Sequence, residues 1–133
     1  MKVEVSGCVP RLTRRDIATF VRRVLRAAGA EPEDLSIAFV DDDTMRELNR
    51  RFRHKNKTTD VLTFSGDAPL LGEIVISLDQ ASRQAAGEKH SLATEVRYLI
   101  LHGILHAIGY DHETDDGEMN ALELKVRAKV GLD

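Results

Sequence analysis

The 133-residue chain predicts a single α+β domain: a small mixed four-stranded sheet with helices packed on it, and a central buried helix carrying two metal-ligand histidines. Three observations predict this. Short runs of apolar residues recur with a period of two, and longer runs with a period near 3.6. Their order is strand, helix, strand, helix, strand, strand, then three helices, which suits a sheet covered by helices. Late in the chain, Leu99, Ile100, Leu101, Ile104, Leu105, Ala107 and Ile108 make one helix apolar almost all the way round, the pattern of a helix in the middle of a domain.

The first strand is Lys2 to Ser6, alternating and β-branched. Thr13 with Asp16 three residues on resembles a capping box with a shortened acid. It opens a helix whose apolar face is Ile17, Phe20, Val21, Val24, Leu25 and Ala28. Leu35 to Val40 is a second strand, apolar enough to be central. Asp41, Asp42 and Asp43 start a second helix, where acids suit the positive end of the helix dipole. The capping reading is preferred to a metal cluster because nothing nearby supplies further ligands. Val61 to Phe64 and Gly72 to Ser77 are the third and fourth strands, antiparallel because the loop between them is short. Helices over Leu78–Ala86, Leu92–Ile108 and Asp115–Val130 complete the chain. No linker, repeat or low-complexity tract divides it, so residues 1–133 form one domain.

Apolar residues make up 42% and charged residues 31% of the chain, as in ordinary globular proteins. Aromatics are 5% and Trp is absent, so the core must be aliphatic. The single cysteine, Cys8, excludes an intrachain disulfide and suits a reducing compartment. Met1 to Val5 lacks the apolar run of a signal peptide, and the longest apolar stretch is too short to span a bilayer. A cytoplasmic protein without a membrane segment is expected. The net charge of −3 is unevenly spread: residues 1–57 hold 13 Lys/Arg against 9 Asp/Glu, and residues 58–133 hold 6 against 13. The densest basic run, Arg46 to Lys57, has six Lys/Arg to one acid. Alone it reads as a solvated helix face running into a loop, with room for a local basic surface.

Three of the five histidines, His102, His106 and His112, lie in one stretch. His102 and His106 are one turn apart on the same helical face. Gly109 can adopt positive φ and turn the chain back, so that His112 approaches them from outside the helix. Three imidazoles with a fourth position left for water are how catalytic zinc is held, whereas structural zinc takes four protein ligands. Unpartnered imidazoles in so apolar a helix would each cost on the order of a kcal/mol or more. The residues leave two other readings open: histidines bonded to backbone carbonyls, or a structural metal completed by Asp111 or Asp115. The spacing HxxxHxxGxxH is shared with zinc peptidases reading HExxHxxGxxH, whose Glu is the general base. Gly103 stands in that slot, so a zinc metallopeptidase would lack its base. His54 and His90, in polar contexts, are expected to be exposed and outside the triad.

His102-Gly103-Ile104-Leu105-His106-Ala107-Ile108-Gly109-Tyr110-Asp111-His112 resembles the HGxLHxxGYDH signature of the YbeY family of bacterial endoribonucleases, also called rRNA maturation factors. Leu48-Asn49, Phe52-Arg53 and Thr59-Asp60-Val61-Leu62-Thr63-Phe64 are similar to the family's LN-x-x-[YF]-R…TDVLSF segment. Leu71 to Ser77 is similar to its LGDIVIS. Glu73 stands where the family usually has Asp, Thr63 where it often has Ser, and Lys57-Thr58 replaces a small or proline-containing step. The resemblance implies a zinc-dependent, single-strand-specific endoribonuclease. It would act in 3′-end maturation of small-subunit rRNA, in ribosome assembly and in ribosome quality control. Its partners would be single-stranded RNA, the small subunit and assembly proteins, with no DNA. It further implies one zinc ion per chain, held by His102, His106 and His112, and a catalytic Arg53 contacting RNA phosphate. An assembly factor whose metal is mainly structural is the remaining alternative. Phe52 and Tyr110 are the obvious aromatics for base stacking, and Asp111, Glu73 and Asp60 the candidates for a general base.

Overall fold

A computed structural model describes residues 1–110 and 115–132. The described elements run β1 (Val3–Ser6), α1 (Arg14–Ala27), β2 (Asp34–Val40), α2 (Asp42–Arg53), β3 (Val61–Ser65), β4 (Leu70–Ser77), α3 (Leu78–Glu88), α4 (Leu92–Ala107) and α5 (Glu118–Val130). The strands form one mixed sheet in the order β1-β2-β4-β3. β1, β2 and β4 are parallel, and β3 pairs antiparallel with β4 as an edge strand, as the short loop between them requires. The α+β class and the element order follow the sequence pattern. Thr13 and Asp16 do form a capping box at the start of α1, each side chain accepting the other's backbone N–H.

Three boundaries move by two residues or more: β4 begins at Leu70, which pairs with Asp34 of β2. α3 continues through Glu88 and stops where Lys89 turns left-handed. α5 begins at Glu118 after a left-handed Gly117 at the N-cap, and the Asp115 carboxylate ahead of it accepts the N–H groups of Gly117 and Met119.

Alternation along the strands gives the sheet two unlike faces. Leu35, Ile37 and Phe39 of β2, with Ile74 and Ile76 of β4, face the main core, shared with α1, α4 and α5. On the opposite face, Met45 of α2 packs with Leu62 and Val75, flanked by Ala38, Val40, Leu48 and Phe64. α4 lies in the middle of the main core: Val96, Ile100, Leu101, Ile104 and Leu105 have no exposed surface. It lies close to the sheet. A Cβ added to Gly103 would meet three side-chain carbons of Ile74 at 2.9, 3.0 and 3.1 Å. One turn further on, a Cβ at Gly72 of β4 would meet the Phe64 carbonyl oxygen at 2.5 Å and the Ala107 Cβ at 3.6 Å. Among the described residues, no helix is long and apolar enough to cross a membrane.

Replacing Gly103 with Ala is expected to lower the unfolding free energy by about 1–3 kcal/mol, the cost of overfilling a packed core, measured by urea denaturation. In an Ile74→Val background, which lacks the terminal methyl, the same step should cost less. An unchanged midpoint for Gly103→Ala would mean that α4 does not rest on Ile74.

Candidate active site

In the C-terminal half of α4 one face stays in the apolar core, and on the other His102 and His106 are half-buried. Their spacing sets them one above the other, with ring centroids 4.6 Å apart and planes at 74°. The two Nε2 atoms face each other at 3.1 Å. Rings placed so either share one proton or share a cation. Tetrahedral zinc with Zn–N of about 2.0–2.1 Å sets its nitrogens about 3.3 Å apart, so the donor pair fits such an ion. His102 Nδ1, on the other side of its ring, lies 3.6 Å from Oε1 of Glu123 on α5. The contact is an ion-pair distance, longer than a hydrogen bond, and a carboxylate there would raise the basicity of a ligating imidazole. The third expected ligand, His112, and Asp111 lie outside the described residues, and among the described residues no three His, Cys, Asp or Glu groups converge at metal-binding range.

Glu123 is the functional candidate that sequence reasoning missed. Its signal is positional: Met119, Glu123, Val126 and Val130 follow the i, i+4, i+7, i+11 stripe of α5, the other three are buried, and a carboxylate interrupts an apolar face. Gly103 has a different lesson. Its slot faces Ile74 in the core, so a glutamate there would clash with the sheet instead of meeting a ligand on the histidine side. The peptidase base is excluded by packing as well as by residue type.

Of the general-base candidates, Glu73 is exposed on β4 between Gly72 and Ile74, which both face α4, so it stands on the opposite face of the sheet. The Asp60 carboxylate accepts the Val61 N–H and the Gln84 side-chain amide, and its backbone carbonyl accepts the Ser77 N–H. That places it at the other end of β4 from Gly72.

Arg53 ends α2, on the face away from α4, yet at the same end of the sheet as the histidines. Phe52 packs edge-on against Phe64, with centroids 5.3 Å apart. Phe64 pairs with Glu73, beside Gly72, and Gly72 meets Ala107, the neighbour of His106, through the sheet. The paired β3–β4 segment therefore lies between Phe52, the neighbour of Arg53, and Ala107, the neighbour of His106. Arg53 is exposed and makes no ion pair among the described residues.

The basic run divides as the structure engages it. Arg46 donates to Asn56 Oδ1 at 3.0 Å. Arg50 is bound to Glu47 at 2.5 Å, and this pair draws the Glu47 pKa down and the Arg50 pKa up through its hydrogen bonds. Arg51, Arg53, Lys55 and Lys57 remain exposed. The loop after α2 is held in shape from below. Buried Asn49 donates its Nδ2 to the Lys57 carbonyl at 2.9 Å, and Asp42 accepts from Thr58, Ser77 and Arg83 at 3.0–3.1 Å. Burial pushes the Asp42 carboxyl up, but the hydrogen bonds from Arg83, Ser77 and Thr58 and the Arg83 charge outweigh it, leaving the pKa below its ordinary value. Asp41 makes the expected cap by accepting from the Thr44 N–H; Asp42 ties α2, α3 and the loop together.

Two aromatic and histidine expectations divide. His54 is exposed, but His90 is half-buried, with Nε2 2.6 Å from Glu95 Oε1 and its ring stacked on Tyr98. The correction has a physical cause: Glu95 is buried in the first turn of α4, where a carboxylate requires a partner. Tyr110 packs half-buried against the main core, whereas Phe52 is exposed.

An α+β domain with a facing histidine pair at the rim of its central helix defines a candidate metal-dependent hydrolase centre. Residues 9–131 match the family model of endoribonuclease YbeY. Curated proteins of that name are similar along most of their length. The one from Koribacter versatilis is 45% identical, covering 99% of this chain and 84% of its own. Those from Aquifex aeolicus and Nautilia profundicola are 46% and 48% identical, covering 90% and 75% of this chain and 86% and 74% of their own. A solution structure of a Thermotoga maritima protein superposes with a TM-score of 0.66 at 25% identity, covering 96% of this chain and 88% of that one. The chain belongs to the endoribonuclease YbeY family, and with it to the nucleases, a class of hydrolytic enzymes.

The Asp42 network gives a pH-dependent expectation. Its folded pKa lies below the ordinary 3.8, so its contribution is complete above pH 3.8 and is lost as pH falls through the folded value. Asp42→Asn should therefore be less stable than wild type near neutrality, with the two urea midpoints converging in acid. A gap that stays unchanged as the carboxyl is titrated in acid would assign the loss to packing instead.

Proposed function

We propose that this protein is a zinc-dependent, single-strand-specific endoribonuclease. Its work is 3′-end maturation of small-subunit rRNA, ribosome biogenesis and ribosome quality control, on the small subunit and beside its assembly proteins in the cytoplasm. The single observation that carries the metal part is the facing Nε2 pair of His102 and His106 at 3.1 Å, with Glu123 behind His102. Family membership carries the RNA part.

His102 and His106 would hold one zinc ion from α4, with His112 as third ligand by its place in the motif. When bound, such an ion with an open position supplies an acidified water or a Lewis acid for a phosphoryl oxygen. The chain's own residues supply the rest. Glu123, beside His102 Nδ1, would raise the basicity of that ring. Arg53, exposed at the end of α2, presents a planar guanidinium that binds two phosphoryl oxygens at once and offsets charge at the scissile phosphate. Arg51, Lys55 and Lys57 hold neighbouring phosphates without reading sequence. A strand reaching from these residues to the histidines passes edge strand β3, which one extended single strand can do more easily than a stiff duplex.

The test is an RNA assay on protein freed of contaminating nuclease. Single-stranded RNA should be cut and casein left intact, and a chelator should abolish cutting. Arg53→Ala is expected to reduce cleavage by roughly 10²–10³-fold, as for loss of one preorganised charge-stabilising donor, with metal content unchanged. Glu123→Gln should weaken zinc affinity by roughly 10- to 100-fold in a competition with a chromogenic chelator. Casein cleavage would overturn the reading, and inertness toward both substrates with metal intact would favour an assembly factor with a structural metal.

A further inference from the structure

We propose that Phe52 is a stacking platform for one unpaired RNA base, placed to anchor the strand on the far side of β3 from the histidines; the inference rests on the RNA reading above. Phe52 is 56% exposed, and the other large exposed hydrophobics among the described residues are Met1 at the chain start and Leu124 on α5. It continues the buried face of α2, seven residues after Met45 and three after Asn49, but packs only part of its ring against β3 and stays open on the rest. Its ring is not loose. Phe64 meets it at 5.3 Å and 73°, an edge-to-face contact that fixes aromatic orientation. The Arg51 guanidinium lies 5.7 Å from its centroid, within cation–π range.

The charges around this ring name the occupant. Arg51, Arg53, Lys55 and Lys57 are exposed beside it, while Glu47 is held by Arg50; the exposed Glu73 beside Phe64 is one acid against four cations. An apolar ring inside a basic patch suits a polyanion that carries flat apolar groups, which describes single-stranded nucleic acid. Only an unpaired base offers its face, so the platform itself selects single strands over duplex. Because the ring sits at the same end of the sheet as His106, across β3, a base anchored there sets how far along the strand the cleaved phosphate lies.

The chain has no Trp, so Phe52→Trp creates a sole indole at the site. Single-stranded oligoadenylate should quench its emission as it binds, whereas inorganic polyphosphate and a duplex of equal length should not. Phe52→Ala should weaken oligoadenylate binding by roughly 5- to 150-fold, as for loss of one stacked base, with Phe52→Tyr close to wild type. Unchanged metal content and circular dichroism show that the variants fold. Oligoadenylate that binds, by anisotropy of a labelled strand, without quenching the indole would overturn the proposal, as would wild-type affinity in Phe52→Ala. Quenching without any RNA cleavage would leave the platform standing and sink the ribonuclease reading. Absence of RNA binding by the wild-type protein would sink both.

Discussion

The burial of α4 against β4 is the contact on which the rest of the molecule depends. Gly103 rests on Ile74 so closely that no side chain fits between them. That contact fixes the rotation of α4 about its axis, and the rotation decides which residues face the core and which reach the rim. With Gly103, Ile104 and Leu105 buried, His102 and His106 are turned to the half-open side together. α5 then closes on the same side and brings Glu123 to the His102 ring. A site built on packed helices keeps its donor atoms in place before any ligand arrives, and ligand geometry needs this more than it needs strength in any single contact.

The sheet then separates two kinds of chemistry. One face supports the histidines, held by an aliphatic core; the other carries α2, whose end and following loop expose Arg51, Arg53, Lys55 and Lys57. The division suits a nuclease of this size. A single strand held by these cations could run round edge strand β3 to the histidine pair. Edge strand β3 joins the two regions, and its Phe64 and Gly72 contacts bring both helix ends to one end of the sheet. The basic loop keeps its shape through Asn49 and Asp42, so the polar bonds spent there serve binding as well as folding.

Much of this was legible from the residues. The strands and helices appeared in their order because each carries its own period, and the capping box of α1 was readable from two side chains. The β3–β4 pairing followed from loop length. The His102–His106 pair was legible because both residues lie on one helix, where spacing alone fixes geometry. The rest was hidden because it joins distant segments. Glu123 meets His102 only after α5 folds back, and His90 finds Glu95 across a helix start that makes a polar-looking histidine half-buried. Asp42 looked like one more acid in a helix cap, yet it links three elements. Glu73 matched a family position while its strand parity turned it away from the histidines. Parity is legible only once the face that touches α4 is known.

The proposed chemistry stands or falls on a metal centre on α4. Its most direct test is the metal content of the native protein beside that of His106→Ala, with zinc-edge absorption to read the donor atoms. One zinc per chain with nitrogen-rich ligation is expected in wild type, and loss of that zinc from a variant that still folds. Wild-type protein without a stoichiometric transition metal, or a folded His106→Ala that keeps its zinc, would contradict it.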